Sequence, residues 1–146
     1  MKELNEISGE ILDASFKIYT ELGSGLLESV YEIVLAKSLA KRGLNVICQK
    51  PIHFEYDGIV FTNGFRVDLF VENKVIVELK SVEVLRPVHL KQVLTYIRLL
   101  KLPLGLLINF GAPTFKSAFK RVVNTQEDTK YKFQPLPKIH YQPKEN

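Results

Sequence analysis

Asp68, Glu78 and Lys80 are the residues whose types and spacing can do chemistry. They lie in the stretch FRVDLFVENKVIVELK, residues 65–80. Two apolar runs, Val67 to Val71 and Val75 to Leu79, flank the polar Glu72, Asn73 and Lys74, which is a β-hairpin pattern. Side chains alternate along a strand, so Glu78 and Lys80 share one face and Val77 and Leu79 the other. Arg66 and Asp68 share a face of the first strand. With a three-residue loop, Val71 pairs with Val75 and Asp68 falls opposite Glu78. A two-residue loop would shift the register by one and separate the two acids. In the even register two carboxylates and an ammonium converge on one patch of sheet. Like charges directly opposite each other destabilise a sheet. A divalent cation removes that conflict, and Mg²⁺ prefers one or two carboxylates plus waters and substrate phosphates. A lysine beside such an ion can hold an attacking water or steady the charge on a phosphate. The plain alternative is a hairpin with ordinary surface charges, because Glu-x-Lys is a common tripeptide.

The elements that must position these residues are legible on both sides of the hairpin. Residues 3–22 carry Ile7, Ile11, Ser15, Ile18 and Leu22 at helical spacing, with Gly23 as a left-handed stop. Ser24 is the expected cap of a second helix from about Gly25 to Arg42, with an apolar stripe of Leu27, Val30, Tyr31, Val34 and Leu35. Glu28 lies at the edge of that stripe, either as a solvated acid at a helix start or aimed at a site. A strand is expected over Val46 to Tyr56, a second over Ile59 to Thr62, and a turn at Asn63-Gly64 leading into the central hairpin. Pro87 suits the first turn of a third helix ending near Leu100. On it His89, Gln92 and Tyr96 share one face, while Leu90, Val93, Leu94 and Ile97 form the packing face. Leu104 to Phe110 is an apolar run suited to a strand buried on both faces. A last strand is expected at Lys120 to Val123. From residue 124 to 146 the chain is polar and carries Pro135, Pro137 and Pro143, the pattern of an extended tail. The expected division is one domain over 1–123 and this tail.

The chain has 146 residues, 46% of them hydrophobic, which suits one domain with a sizeable core. Its net charge of +4 permits nucleic-acid binding without requiring it. The single cysteine, Cys48, rules out an internal disulfide and a cysteine-based zinc site, and reads as a small buried hydrophobe. The opening MKELNEISGE is polar and acidic, and no apolar run approaches the ~18–20 residues of a membrane span. The expectation is a cytoplasmic protein with no membrane contact.

The spacing Asp68-x9-Glu78-Leu79-Lys80 resembles that of the PD-(D/E)XK nuclease superfamily. The segment Gly25-Leu26-Leu27-Glu28-Ser29-Val30-Tyr31 is similar to the signature of its GxxExxY branch. Arg66-Val67-Asp68-Leu69, Val75 to Lys80, His89-Leu90-Lys91-Gln92 with Tyr96, Gly105 to Gly111 and Lys120 to Val123 follow in the same order, so the resemblance covers about residues 5–123. It departs at Tyr19, where that branch often has His, at Ser24, where it often has Pro, and at Val67, where the superfamily has Pro. The resemblance implies an α/β fold: a restriction-endonuclease-like core with a mixed central β-sheet flanked by α-helices. It implies that Asp68 and Glu78 bind Mg²⁺ or Mn²⁺, with the Leu79 backbone carbonyl joining them. Glu28 would reach the ion through water or act as a nearby base. Lys80 would position the attacking water. Gln92 would hold the metal-water network or a phosphate, with Tyr96 supporting it.

His89 is either a phosphate contact or a helix-start residue bonded to backbone, and Arg66 either a phosphate contact or an ion-pair partner of an acid. Lys120 and Arg121 are candidate contacts to a phosphate backbone, although a solvated face is the commoner use of such residues. Three functions remain on these grounds, one of them an enzyme that acts only inside a complex. Another is a metal-dependent nuclease cleaving phosphodiester bonds, with DNA the expected partner and a homodimer expected because one small domain offers little surface to a duplex. The last is a non-catalytic nucleic-acid-binding or assembly subunit that keeps the fold and uses its surface.

Overall fold

A five-stranded sheet in the order β1-β2-β3-β4-β5 carries the molecule. The computed structural model describes residues 2–124. The expected tail lies outside the described residues apart from Asn124. The strands are β1 (Val46–Tyr56), β2 (Ile59–Val71), β3 (Val75–Lys80), β4 (Leu104–Asn109) and β5 (Phe119–Val123). Neighbours are antiparallel except β3 and β4, which run parallel. A parallel pair needs a long crossover. Here α3 (Pro87–Leu100) supplies it. The result is a mixed sheet flanked by helices, an α/β fold of the restriction-endonuclease-like kind.

The two faces of the sheet bury separate cores. On one face Leu69, Val71, Val77, Leu79, Leu106 and Ile108 pack under α1 (Leu4–Leu22) and α2 (Glu28–Lys41). On the other Val67, Phe70, Ile76 and Leu107 pack under Val93 and Ile97 of α3. Every residue of β4 is buried, which accounts for its unbroken apolar run. Each fully buried Leu or Ile contributes about 1.5–3 kcal/mol relative to exposure. α1 buries Ile7, Ile11, Ala14, Ser15 and Ile18, the stripe expected from three- and four-residue spacing except for Leu22, which is exposed at the helix end. A short α4 (Phe115–Ala118) precedes β5. Among the described residues, no helix is long and apolar enough to cross a membrane.

Four expectations need correction. First, β2 does not break at Asn63-Gly64 but runs unbroken from Ile59 to Val71. Gly64 serves packing instead: a Cβ there would come within 2.1 Å of the Phe54 ring. Second, α2 begins at Glu28 rather than near Gly25. Gly25 has φ +103°, a conformation outside the right-handed helix. The buried stripe of α2 is therefore Tyr31, Leu35 and Leu39, and Leu27 and Val30 are exposed. Third, Gly23 closes α1 at φ 70° and ψ −166°, not in the left-handed helical conformation expected. Fourth, Cys48 is exposed rather than buried. Partial desolvation, and then the nearby Glu32 charge, raise its thiol pKa. A smaller difference concerns Leu90, which is exposed instead of joining the packing face of α3.

Candidate active site

The hairpin between β2 and β3 adopts the three-residue loop. Val71 pairs with Val75, Phe70 with Ile76 and Leu69 with Val77. Glu72 and Asn73 take left-handed φ values of 53° and 52°, which closes the loop in that length. The backbone ladder stops at Leu69 and Val77, and one row further on side chains take over. The Asp68 N–H donates to Glu78 Oε1 at 3.2 Å. The Leu79 N–H donates to Asp68 Oδ2 at 2.9 Å. The strands thus fork at the two acids, which hold the fork together by accepting the backbone donors it frees.

Asp68 also marks a switch of faces. Leu69 and Val71 belong to the core under α1 and α2, whereas Val67 belongs to the core under α3, although all three are odd-numbered. β1 does the same: Val46 packs against the first core and Ile52 lies in the second. Between them Gln49 sits at φ 51°, left-handed and non-glycine. The rows Cys48–Leu69 and Lys50–Val67 enclose Gln49 and Asp68, which are not themselves paired by the ladder. This distortion replaces the flat patch expected from simple alternation. The Asp68 carboxylate turns into the gap and lines a cleft on the α2 side, with Glu78 beside it, its Oε1 accepting from the Asp68 N–H.

The cleft holds about 530 Å³ and is lined by Leu26, Leu27, Glu28, Ser29, Glu32, Gln49, Asp68, Leu79 and Ser81. Glu28 faces it because it is the first residue of α2, and that start is set by Tyr31. The Tyr31 ring is fully buried and stacks on Phe110 with centroids 4.3 Å apart and planes 2° apart. Its hydroxyl donates to the Gly23 carbonyl at 2.6 Å and accepts from the Leu26 N–H at 3.3 Å. Ser81 adds a bond to the Leu26 carbonyl at 2.8 Å. Tyr31 therefore staples the loop that aims Glu28.

On the α3 side, Gln92 Nε2 donates to the Tyr96 hydroxyl at 2.8 Å. Tyr96 stacks on Phe65 at 4.0 Å. Its phenol pKa is raised by burial first, then by the charges of Glu78 and Asp68, with the Gln92 hydrogen bond opposing. Lys80, half-buried, shares the Glu78 face by strand alternation. His89 Nδ1 accepts from the Arg86 N–H at 3.1 Å, so of its two expected uses the structure shows the helix-start bond. Arg66 is exposed on β2. Lys120 and Arg121 alternate on β5, and the Arg121 guanidinium donates to Ser8 on α1 at 2.8 Å, away from the fork. The structure thus gathers Asp68, Glu78, Leu79, Glu28, Lys80 and Tyr96 with Gln92 around the fork, and leaves Arg121 outside it.

Sequence reasoning passed over Glu32 and Gln49. Gln49 Nε2 donates to Glu32 Oε1 at 2.7 Å and to Asp68 Oδ1 at 3.1 Å. Glu32 could have been found as the helical neighbour of Glu28 four residues on. Gln49 could not, because its left-handed backbone carries no sequence signal.

Electrostatics at the fork are dominated by Glu78, which is 5% exposed. Burial first, then the Asp68 charge, push its pKa up to about 8; the Asp68 N–H and, least, the Lys80 ammonium pull it down. Glu32 is also raised, by burial first and by Asp68 last, with the Gln49 hydrogen bond opposing. Among the described residues no three His, Cys, Asp or Glu side chains stand together as a cation cage. The donors at the fork are instead two adjacent carboxylates with only a weakly acting ammonium against them. That set fits a hard divalent cation that completes its shell with waters and substrate oxygens.

A mixed sheet that forks at paired carboxylates, with a lysine two residues beyond the second, defines an α/β domain of the nuclease type. The chain belongs to the PD-(D/E)XK nuclease superfamily, whose family model matches residues 5–122. No curated protein and no solved structure matches it.

Proposed function

We propose that this chain, a member of the GxxExxY branch, hydrolyses phosphodiester bonds in nucleic acid, with DNA as substrate and Mg²⁺ or Mn²⁺ as cofactor. The observation that carries this reading is Glu78: a carboxylate 5% exposed and set against a second carboxylate, with its Oε1 on the Asp68 N–H and the Lys80 ammonium opposing its raised pKa only slightly. A scaffold gains nothing from that pair, since burying a charge without a partner is costly. Asp68, Glu78 and the Leu79 carbonyl are the groups that would hold the ion. When bound, the ion supplies Lewis acidity to a phosphate oxygen and lowers the pKa of a water.

The chain's own groups do the rest. The Leu79 N–H fixes one Asp68 oxygen and so sets the plane of that carboxylate. Lys80 offers its ammonium to the charge that develops on the phosphate and orients the attacking water. Glu28, which lines the cleft with Asp68, would accept a proton from that water, directly or through a second one. Gln92 and Tyr96 present an amide and a phenol to the opposite side of the fork. The test is cleavage of single-stranded and duplex DNA and of RNA with Mg²⁺ and Mn²⁺, beside Lys80→Ala. Cleavage by wild type that falls about 10²-fold or more in the variant is expected, the scale of losing one preorganised charge-stabilising group. Purified wild type that binds DNA and cuts none of these substrates with either ion would replace the nuclease by a binding module.

A further inference from the structure

We infer that Gln49 is a positioning residue for Asp68, anchored in turn by Glu32. The inference rests on the nuclease reading only in taking Asp68 as a metal-holding group. Both hydrogens of the Gln49 amide are committed, one to Glu32 Oε1 at 2.7 Å and one to Asp68 Oδ1 at 3.1 Å. Carboxylates on both sides fix the amide orientation, because its oxygen would be repelled by either. With the Leu79 N–H on Oδ2 at 2.9 Å, both Asp68 oxygens are held from different directions. The carboxylate can then neither rotate about its terminal torsion nor swing out into the cleft. Such outer partners orient metal-holding groups, and their loss costs about 10–100-fold in metal affinity or activity.

The backbone argues that this placement is specific. Gln49 is held at φ 51°, a conformation that glycine adopts freely and other residues rarely. Its side chain is exposed and contributes nothing to either core. A residue needed only to shape β1 would be better served by glycine. What glutamine adds is the amide, and both strands exchange faces at this row, with the Gln49 amide reaching the Asp68 carboxylate. Glu32, from α2, supplies the second acceptor that stops the amide turning away.

The discriminating variant is Gln49→Gly, which suits the left-handed backbone and removes only the amide. Its melting temperature should hold close to wild type. Mn²⁺ affinity, measured by calorimetry and by the free-Mn²⁺ electron paramagnetic resonance signal, should weaken about 10-fold or more, with a matching fall in kcat for cleavage and little change in KM for DNA. Glu32→Ala should weaken Mn²⁺ binding similarly, and Glu32→Gln, which keeps an acceptor oxygen but no charge, should recover most of that loss. Recovery by Glu32→Gln separates anchoring from direct coordination by Glu32, which needs the charge. Wild-type Mn²⁺ affinity in a folded Gln49→Gly protein would overturn the inference while leaving the nuclease reading intact. Wild type that binds Mn²⁺ but never cuts, with weakened binding in Gln49→Gly, would sink the nuclease reading and support the inference. Wild type that binds no Mn²⁺ would overturn both.

Discussion

A carboxylate that titrates at about pH 8 makes stability depend on pH in an unusual direction. Glu78 has an ordinary value near 4.5 once unfolded, so between about pH 4.5 and 8 the folded protein holds a proton that the unfolded chain has lost. Stability falls with rising pH wherever the folded state binds more protons. Cation-free protein should therefore lose on the order of a few kcal/mol across that window and level off above it. Thermal melts from pH 5 to 9 in chelator check this, and Glu78→Gln should flatten the slope. A flat wild-type profile would mean that Glu78 is ionised and already compensated. Lys80 behaves differently: it packs in neither core, so Lys80→Ala should keep stability within about 1 kcal/mol while cleavage falls. The acid pair was legible because hairpin register follows from loop length and alternation, and both are written in residues 65–80. The tilt of Asp68 into the fork was not legible, since it depends on a face switch shared with Gln49 on another strand.

At the scale of the element, α2 shows how a local motif serves a distant carboxylate. Gly25 at φ +103° prevents the helix from starting early, and the Tyr31 hydroxyl ties down the loop that results. Tyr31→Phe keeps the stack on Phe110 and removes both hydroxyl bonds. A loss of about 0.5–1.5 kcal/mol is expected from denaturant unfolding, since the part-buried Gly23 carbonyl loses its donor. Cleavage should drop further than stability alone explains, because Glu28 is released with the loop. An equal activity in Tyr31→Phe at temperatures well below its melt would show that Glu28 is aimed by the helix alone. The sequence placed Gly25, Glu28 and Tyr31 together, yet read Leu27 and Val30 into the buried stripe. That misreading has a physical cause: the helix begins three residues later than a Ser24 cap implies, and its buried residues are Tyr31, Leu35 and Leu39. β2 was divided for a similar reason. Asn-Gly favours a turn in isolation, but here it sits in an irregularity of the ladder between the Ile52–Phe65 and Phe54–Phe61 pairs, and pairing on both sides with the Phe54 ring over Gly64 keeps the strand extended.

Taken as a whole, the molecule places its least favourable charge pair between two cores. The helices α1 and α2 cover one face of the sheet, α3 covers the other, and the β2–β3 fork lies where the two layers meet at the strand ends. The helices and strands were legible in order, apart from the break read into β2, because long apolar periodicities dictate them; the parallel β3–β4 pair was not, since periodicity does not name a strand's partner. In such a fold Glu78 keeps its proton up to about pH 8, and above that the repulsion of Asp68 and Glu78 stands until something compensates it. Anything that binds the folded state and not the unfolded chain stabilises it by RT ln(1 + [L]/Kd), about 2.7 kcal/mol at a hundredfold excess over Kd. Mg²⁺ or Mn²⁺ should accordingly raise the melting temperature, by roughly 4–8 °C per kcal/mol for a domain near 100 residues and less for a larger one. The rise should be larger at pH 8.5 than at pH 6, because at the lower pH the ion must first displace the Glu78 proton. Asp68→Asn removes half of the carboxylate pair while keeping an acceptor for the Leu79 N–H, so its fold should persist and its cation-dependent rise should vanish. The measurement is differential scanning calorimetry of both proteins in chelator, in Mg²⁺ and in Mn²⁺, at the two pH values. An equal cation-dependent rise in wild type and Asp68→Asn would place the ion away from the fork and remove the charge argument on which the site rests.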